Sequence, residues 1–545
     1  MRIALGLAIA LPLALTAAPA ATSGVVPDSP YLEPIPDPGP CDLVMNENNA
    51  PSALPLLNDP STRVFCVDPG DYRSAGQLFL SASGTQASRR YLRFNATDSL
   101  KAVQRTQQAV FEMLIVKGSW WVVQGLTIQP QAPSTYYFVY VEGGDHDVFD
   151  GNLIDGIDHV NTQLGEAGVY LGSFSSDPAT YNSVQANVVR NGNASHRPVD
   201  YTGIAVSDVG ANNDYNKVLD NEVYDWGDAI ALTSSRGDCN FPTLPHGTVI
   251  DGNEMYITGA KRIDCMTGAP DPNGDCACAE NGVDLKPDPG ASAWTQVTNN
   301  RLWGFRPTQA VDTCGGTGSL GQAITAGNTC PGHVLVANNI VLDSTVGIQP
   351  SGSSWIIAGN LFYDLRTPMA DREVLSQAID TTSTATNLSI EFNTIVDVDN
   401  AYDDMSSNTD TRCNAVIDSL AVNGNGGARG TNHVTAYDFL YDTPANNFIG
   451  ATNESFATDA QSQDTSYCFW RKRWTAPEQV CVPFGTTTAA SPHAQAAVNC
   501  HPDLAASLGM PTIGYPAPEP AGAPLAGATL LALAARARRS SGSRA

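Results

Sequence analysis

One heptapeptide stands apart by its chemistry: Glu280-Asn281-Gly282-Val283-Asp284-Leu285-Lys286. In an extended strand alternate side chains share a face. With Val283 and Leu285 turned inward, Glu280, Gly282, Asp284 and Lys286 turn outward. An amine among carboxylates can move a proton, or neutralise negative charge that develops on a bound molecule. Abstracting a proton beside a carboxylate needs both services, a base and a cation. The same side chains can also form no more than a surface ion pair, worth little either way. Moreover, an aspartate two residues from the lysine raises the lysine pKa, whereas a base needs it lowered. Paired acids working as general acid and base are a further option, and they require a defined separation.

The charged heptapeptide is singular among its neighbours. Where Asp284 stands, comparable segments carry Ala205, Ala231 and Gln349, and where Lys286 stands they carry Ser207, Thr233 and Ser351. One charged rung in a wall of small side chains is how a shallow groove for an extended polymer can be made. A long cysteine-containing insertion, Asn240 to Ala279, precedes it and can form one bank. Asp225, Asp228, His246, Arg262 and Asp264 lie within or near that insertion. No phosphate-binding loop occurs, and no Ser-His-Asp motif has the local context it needs.

The elements that position this rung repeat along the chain. An asparagine recurs after a small or polar residue, as Gly151-Asn152, Ala186-Asn187, Asp220-Asn221, Gly252-Asn253, Asn299-Asn300, Asn338-Asn339, Gly359-Asn360 and Phe392-Asn393. Most gaps are roughly 20 to 40 residues, the range of solenoid repeats with loop insertions. Asparagine tolerates the left-handed conformation of a tight corner, and stacked asparagines can bond from rung to rung. Between them recur short strands that begin with a small residue: Gly168-Val169-Tyr170-Leu171, Gly203-Ile204-Ala205-Val206, Ala229-Ile230-Ala231-Leu232, Gly282-Val283-Asp284-Leu285, Gly347-Ile348-Gln349-Pro350 and Ala378-Ile379-Asp380-Thr381. Strict alternation puts the second and fourth positions inside and the small and third positions outside. Stacked in parallel, such strands bury aliphatic columns along one axis. The pattern predicts an all-β, right-handed parallel β-helix, a single-stranded solenoid with long loop insertions. A sandwich would not explain an asparagine at one point of every repeat.

Two further segments carry a family resemblance. Val64-Phe65-Cys66-Val67-Asp68-Pro69-Gly70-Asp71-Tyr72 and Ser119-Trp120-Trp121-Val122-Val123-Gln124-Gly125-Leu126-Thr127-Ile128 resemble the first turn and the early rungs of the pectin-lyase-like superfamily of right-handed β-helix proteins. The resemblance runs from about Val64 to about Asp399. That superfamily holds lyases, hydrolases, epimerases, adhesins and non-catalytic surface proteins, so the fold alone selects no activity. Its polysaccharide lyases use Lys or Arg as base and a carboxylate-held calcium as neutralising cation. The resemblance thus implies Lys286 as base and Glu280, Asp284 and Asp228 as oxygen ligands of calcium. Arg262 and Arg301 are the candidate substrate-binding residues. The dense aspartate clusters of calcium-dependent pectate lyases are not matched, and spacing assigns no catalytic arginine. Two functions compete: a polysaccharide lyase on uronic-acid polymers, and a non-catalytic surface or matrix rod.

Composition and termini frame both. The 545-residue chain has 29 Lys+Arg against 55 Asp+Glu, a formal charge of -26. That disfavours nucleic acid, which needs a basic face. It also disfavours a bare polyanion, unless calcium or a local cation inverts the field. Arg2, the apolar run Ile3 to Leu15, and the small residues Ala17, Ala18, Ala20 and Ala21 read as a signal peptide over 1–22. Pro518-Glu519-Pro520, an apolar stretch to Ala535, and Arg536, Arg538 and Arg539 resemble a PEP-CTERM sorting tail over 511–545. That resemblance implies transient inner-membrane contact and release to the cell surface or matrix. Between the ends we expect an N-terminal cap over 23–63, the β-helix over 64–399, and a disulfide-containing cap over 400–510. That last segment holds Trp470-Arg471-Lys472-Arg473-Trp474, which we read as packing before carbohydrate stacking. Twelve cysteines in an exported chain predict disulfides, with Cys41–Cys66, Cys314–Cys330 and Cys468–Cys481 the close pairs. A zinc site at Cys265, Cys276 and Cys278 lacks a second ligand pair. The expected partner is a polysaccharide, and the expected state a monomer.

Overall fold

A computed structural model describes residues 28–404, except 96–99, 132–136, 157–166, 173–176, 193–201, 208–212, 234–243, 259–279, 287–292, 306–320, 327–331, 366–375 and 382–383. Beyond 404 it describes short segments as far as residue 487. Each coil contributes one strand to each of three parallel sheets. Lys217–Leu219, Glu222–Tyr224 and Asp228–Thr233 form one coil. They pair in parallel with Val249–Asp251, Glu254–Tyr256 and Asn281–Asp284 of the next. In the order in which a coil meets them, the first, second and third sheets have fourteen, fourteen and twelve strands among the described residues. The chain is nearly all β, and the coil is a right-handed parallel β-helix. Its ladders run from Leu43–Met45 to Thr452–Asn453, further in both directions than the repeat reads in the sequence.

Aliphatic columns fill the interior. On the third sheet Val169, Ile204, Ile230, Val283, Ile324, Ile348 and Ile379 stack in register, all fully buried. Burying one such side chain is worth about 1.5–3 kcal/mol, so the coils hold one another through apolar contact. The small residue before each of these faces the interior as well, a correction to strict alternation. Ala229, Ala323 and Ala378 belong to the apolar core. A Cβ on Gly282 would lie 2.5 Å from the Ala323 carbonyl oxygen and 2.6 Å from Leu302 Cδ2. The pairing register skips this residue: Asp228 matches Asn281 and Ile230 matches Val283. Two consecutive residues thus point inward, and only a small one fits against the second sheet.

The corner between the first and second sheets explains the recurring asparagines. The residue before each asparagine is left-handed, with φ of 64° at Gly151, 55° at Ala186, 51° at Asp220, 70° at Gly252, 57° at Asn299 and Asn338, 68° at Gly359 and 59° at Phe392. The asparagine itself turns inward and builds a ladder. Its backbone N–H and Nδ2 both donate to Oδ1 of the next asparagine, at 2.9–3.0 Å from Asn152 through Asn187, Asn221, Asn253, Asn300, Asn339, Asn360 and Asn393 to Asn414. The expected asparagine stacking is present, and the left-handed role falls one residue earlier.

The N-terminal residues lie along the outside of the first sheet. Ser29 N–H donates to Asp220 Oδ2 at 2.7 Å, Glu33 N–H to Gln185 Oε1 at 2.9 Å, and Tyr91 Oη to the Pro36 carbonyl at 3.1 Å. Ile35 packs on the outward cluster of Val64, Tyr91, Val122 and Val148. The Cys41–Cys66 disulfide closes this strap onto the first coils. Cys468 faces Cys481 across an antiparallel pair, Tyr467–Arg471 with Glu478–Val482. Cys265, Cys276, Cys278, Cys314 and Cys330 lie outside the described residues.

Candidate functional site

The outward columns of the third sheet bring the predicted residues together. Thr202, Asp228, Asn281 and Gln322 follow one another in register, as do Ala205, Ala231, Asp284, Thr325 and Gln349. Because Gly282 turns inward, Asn281 takes the outward place the alternation rule gave to the glycine. Its Nδ2 donates to Asp228 Oδ1 at 2.9 Å, across the coils. Lys286, just past the strand, donates from Nζ to Asp284 Oδ2 and forms an ion pair with it. Glu280 enters the same strand from the other end, and its charge acts on both Asp228 and Lys286. The cluster is outward but shielded, with Asp228 and Asp284 each 7% exposed.

Shielding and charge set the protonation states. Burial pushes the Asp228 carboxyl well above the ordinary carboxylate range. The charges of Asp284 and Glu280 add to that push, against Lys286 and the Asn281 hydrogen bond. These influences shift Asp228 toward its neutral, proton-donating form relative to an ordinary aspartate. Burial works against the Lys286 ammonium, yet Asp284, its hydrogen bond, Asp228 and Glu280 outweigh it and raise the lysine pKa. Neighbouring groups driven toward proton donor and held ammonium are what acid–base chemistry uses.

Later coils extend the cluster with polar side chains. Gln322 Nε2 donates to Gln349 Oε1 at 2.5 Å, and Gln349 Nε2 to Asp380 Oδ2 at 2.7 Å. Gln377 Nε2 donates to Asp403 Oδ2 at 3.0 Å. Earlier coils are aromatic on the same face: Tyr137, Tyr140 and Tyr170 cluster beside Ala205, and Tyr170 Oη donates to Ser207 Oγ at 2.6 Å. The third sheet thus changes outwardly from tyrosine, through alanine, to acid and amide. Gln322, Asp380 and Asp403 escape the motif reading, although their places in the repeat are the same outward columns.

Other candidates lie elsewhere. Arg301 sits on the second sheet, 2% exposed, between Glu254 and Ile340 in register, and is not brought to Lys286. Tertiary pairing, not chain proximity, decides this. His246 pairs with Asp214 at 3.0 Å at the corner leading into the first sheet. Asp225 is left-handed and accepts from Thr258 N–H at 2.8 Å, a corner role. Arg262 and Asp264 lie outside the described residues. Among the described residues no three His, Cys, Asp or Glu side chains converge as metal ligands. At Asp284 the ammonium of Lys286 stands where a cation would. Glu280, Asp284 and Asp228 are neighbours, but as placed they do not fit a calcium site.

No family model matches the chain, and no curated protein matches it. Solved structures do. A variant of the PL6 family alginate lyase AlyGC aligns at 13% identity and a TM-score of 0.47, covering 76% of this chain and 53% of that one. The chain spans about half the length of AlyGC. Pectate lyase Pel9A aligns at 15% identity and a TM-score of 0.38, over 64% and 78% of the two chains. An alginate lyase from Paenibacillus sp. str. FPU-7 aligns at 13% and 0.33, over 62% and 89%. The β-helix is established by the sheets themselves.

Proposed function

We propose that this protein cleaves an acidic polysaccharide by β-elimination at the outward cluster of the third sheet. The observation that carries the proposal is the meeting of Asp228, Asp284, Glu280 and Lys286 on adjacent strands of one shielded face. In this reaction Lys286, once deprotonated, takes the proton on the carbon beside the uronate carboxylate. The electron pair forms the new double bond and expels the glycosidic oxygen. Asp228, favoured in its neutral form, gives that oxygen its proton. Asn281 holds Asp228, and the glutamines of later coils supply hydrogen bonds along the polymer. Because the neighbours raise the Lys286 pKa while Asp228 must keep its proton, the rate passes through a maximum between the two ionisations. The Cys41–Cys66 disulfide supports an exported protein, since such bonds persist in oxidising compartments. We extend the proposal to a location at the cell surface or beyond, as the N-terminal run and the C-terminal tail suggest.

The test is ultraviolet absorbance of unsaturated uronate. The full chain is incubated with pectate, alginate and glycosaminoglycans, each with calcium and with chelator, beside Lys286→Ala and Asp228→Asn. We expect absorbance that passes through a maximum with pH and falls at least a hundredfold in either variant. New reducing ends without absorbance would replace elimination by hydrolysis through Asp228 and Asp284. No product on any acidic polymer would leave the rod-like surface protein as the better reading.

A further inference from the structure

We propose a second binding site, at the corner leading into the first sheet, for a small hydroxylated carboxylate such as a sugar acid. Trp120, His146, Tyr181 and Tyr215 occupy this corner on four successive coils, each left-handed, with φ of 65°, 59°, 57° and 57°. Their rings stack at 4.1, 5.0 and 5.1 Å between centroids, nearly parallel. Aromatic residues are strained in this conformation, which the asparagine corner gives mostly to Gly, Asn and Asp. Stacked in this way, the rings turn their edges, not their faces, outward.

The N-terminal strap lies against those edges and leaves a cavity of about 100 Å³, lined by Glu33, Arg89, His146, Tyr181, Tyr215 and Lys217. That is room for more than a few waters. Two cations face one carboxylate: Arg89 pairs with Glu33 at 2.7 Å and Lys217 with the same group at 3.4 Å. The lining therefore holds an excess positive charge in a chain of formal charge -26. Arg89 is 7% exposed and its guanidinium also lies 5.3 Å over Trp120, which fixes its direction. Among the described residues, its buried Nη1 and the buried Nδ1 of His146 have no hydrogen-bond partner. An unpaired buried polar atom is costly, and a ligand in the cavity beside both residues offers them partners. A carboxylate oxygen suits Arg89 and balances the extra charge. Burial lowers the His146 pKa, against Asp145, and a neutral imidazole can accept from a ligand hydroxyl. Tyr181 and Tyr215 also line the cavity and are its more exposed members.

The site is independent of Lys286, which lies on the third sheet. The experiment follows histidine ring signals of the full chain by NMR during titration with glucuronate, acetate or glucose. The His146 signal is assigned from its loss in His146→Gln. We expect saturable movement with glucuronate, weaker movement with acetate, and none with glucose. Lys217→Met should weaken the glucuronate response at least tenfold, and Lys286→Ala should leave it unchanged. Equal affinity for acetate and glucuronate would assign the site to free small carboxylates and overturn the sugar-acid assignment. No movement with either acid, an equal response to glucose, or unchanged affinity in Lys217→Met would overturn the site itself.

Discussion

Replacing Asn253 by alanine removes five hydrogen bonds at one step of the asparagine ladder, the longest from its Nδ2 to the Asp251 carbonyl at 3.3 Å. Oδ1 of Asn253 accepts from the backbone N–H and the Nδ2 of Asn221, both at 3.0 Å. Its Nδ2 donates to the Val218 carbonyl at 2.8 Å and to Asn300 Oδ1 at 3.0 Å. Three of the partners keep an alternative, among them the Asp251 carbonyl, which still receives the Asp220 N–H at 3.0 Å. Asn221 Nδ2 also reaches the Val184 carbonyl at 2.8 Å, and Asn300 Oδ1 still receives the backbone N–H of residue 253 at 2.9 Å. The other two, the Asn221 N–H and the Val218 carbonyl, lose the partner named here inside a site where both asparagines are essentially unexposed. At about 1–3 kcal/mol for each stranded group, the step loses roughly 3 kcal/mol. Coils contact only their neighbours, so the loss stays local. Hydrogen exchange read by mass spectrometry should show faster exchange, by about a hundredfold, in peptides containing Asn221. Peptides around Phe65 should be unchanged. Uniform loss of protection would refute the neighbour-by-neighbour picture, and wild-type protection at Asn221 would refute the ladder's energetic role.

Two further predictions bear on the proposed catalytic face. Gly282→Ala places a methyl group 2.5 Å from a backbone carbonyl that cannot move aside. It should cost about 1–3 kcal/mol in denaturant unfolding and shift Asp284 and Lys286; a variant with unchanged midpoint and unchanged activity would contradict the inward placement. Asp380 is pushed up to about 6 by burial, with Asp403 adding and the Gln349 hydrogen bond opposing. A raised carboxyl pKa favours the folded state below the unfolded value near 3.8, and that contribution is lost as pH rises through about 6. The loss is at most about 3 kcal/mol, reduced by partial solvent screening. Unfolding midpoints measured from pH 4 to 7 should therefore fall less with rising pH in Asp380→Asn than in the parent, and identical slopes would count against it.

Much of the architecture is legible because it repeats. Small-Val/Ile strands and corner asparagines recur at successive coils from Asn152 onward, and each recurrence marks one physical need, an aliphatic column or a buried amide partner. The finer errors have one source, a local rule applied where the coil imposes its own geometry. Strict alternation placed Gly282 outside, yet two adjacent residues turn inward there and the second sheet leaves space only for a small one. The recurring asparagines suggest a left-handed corner residue, while the corner assigns left-handedness to the residue before and uses the asparagine in the ladder. The aromatic corner of Trp120, His146, Tyr181 and Tyr215 was hidden because nothing in their spacing announces that four left-handed positions coincide.

The candidate site divides in the same way. Lys286 and Asp284 were readable as a pair, since two residues along a strand return a side chain to the same face. In the sequence Asp228 stands only near the rung as a candidate calcium ligand, and Arg301 stands beyond it as a candidate for substrate binding. Parallel pairing sets Asp228 beside Asn281, across an insertion of any length, and carries Arg301 to another sheet. Residue order by itself determined the solenoid, its period and its one charged rung, because those follow from local patterns repeated at each turn. Which side chains share a face, which are shielded enough to change their protonation, and that a strap and an aromatic corner enclose a cavity were decided by the stacking of coils. That stacking brings together residues whose separation along the chain carries no information about their distance.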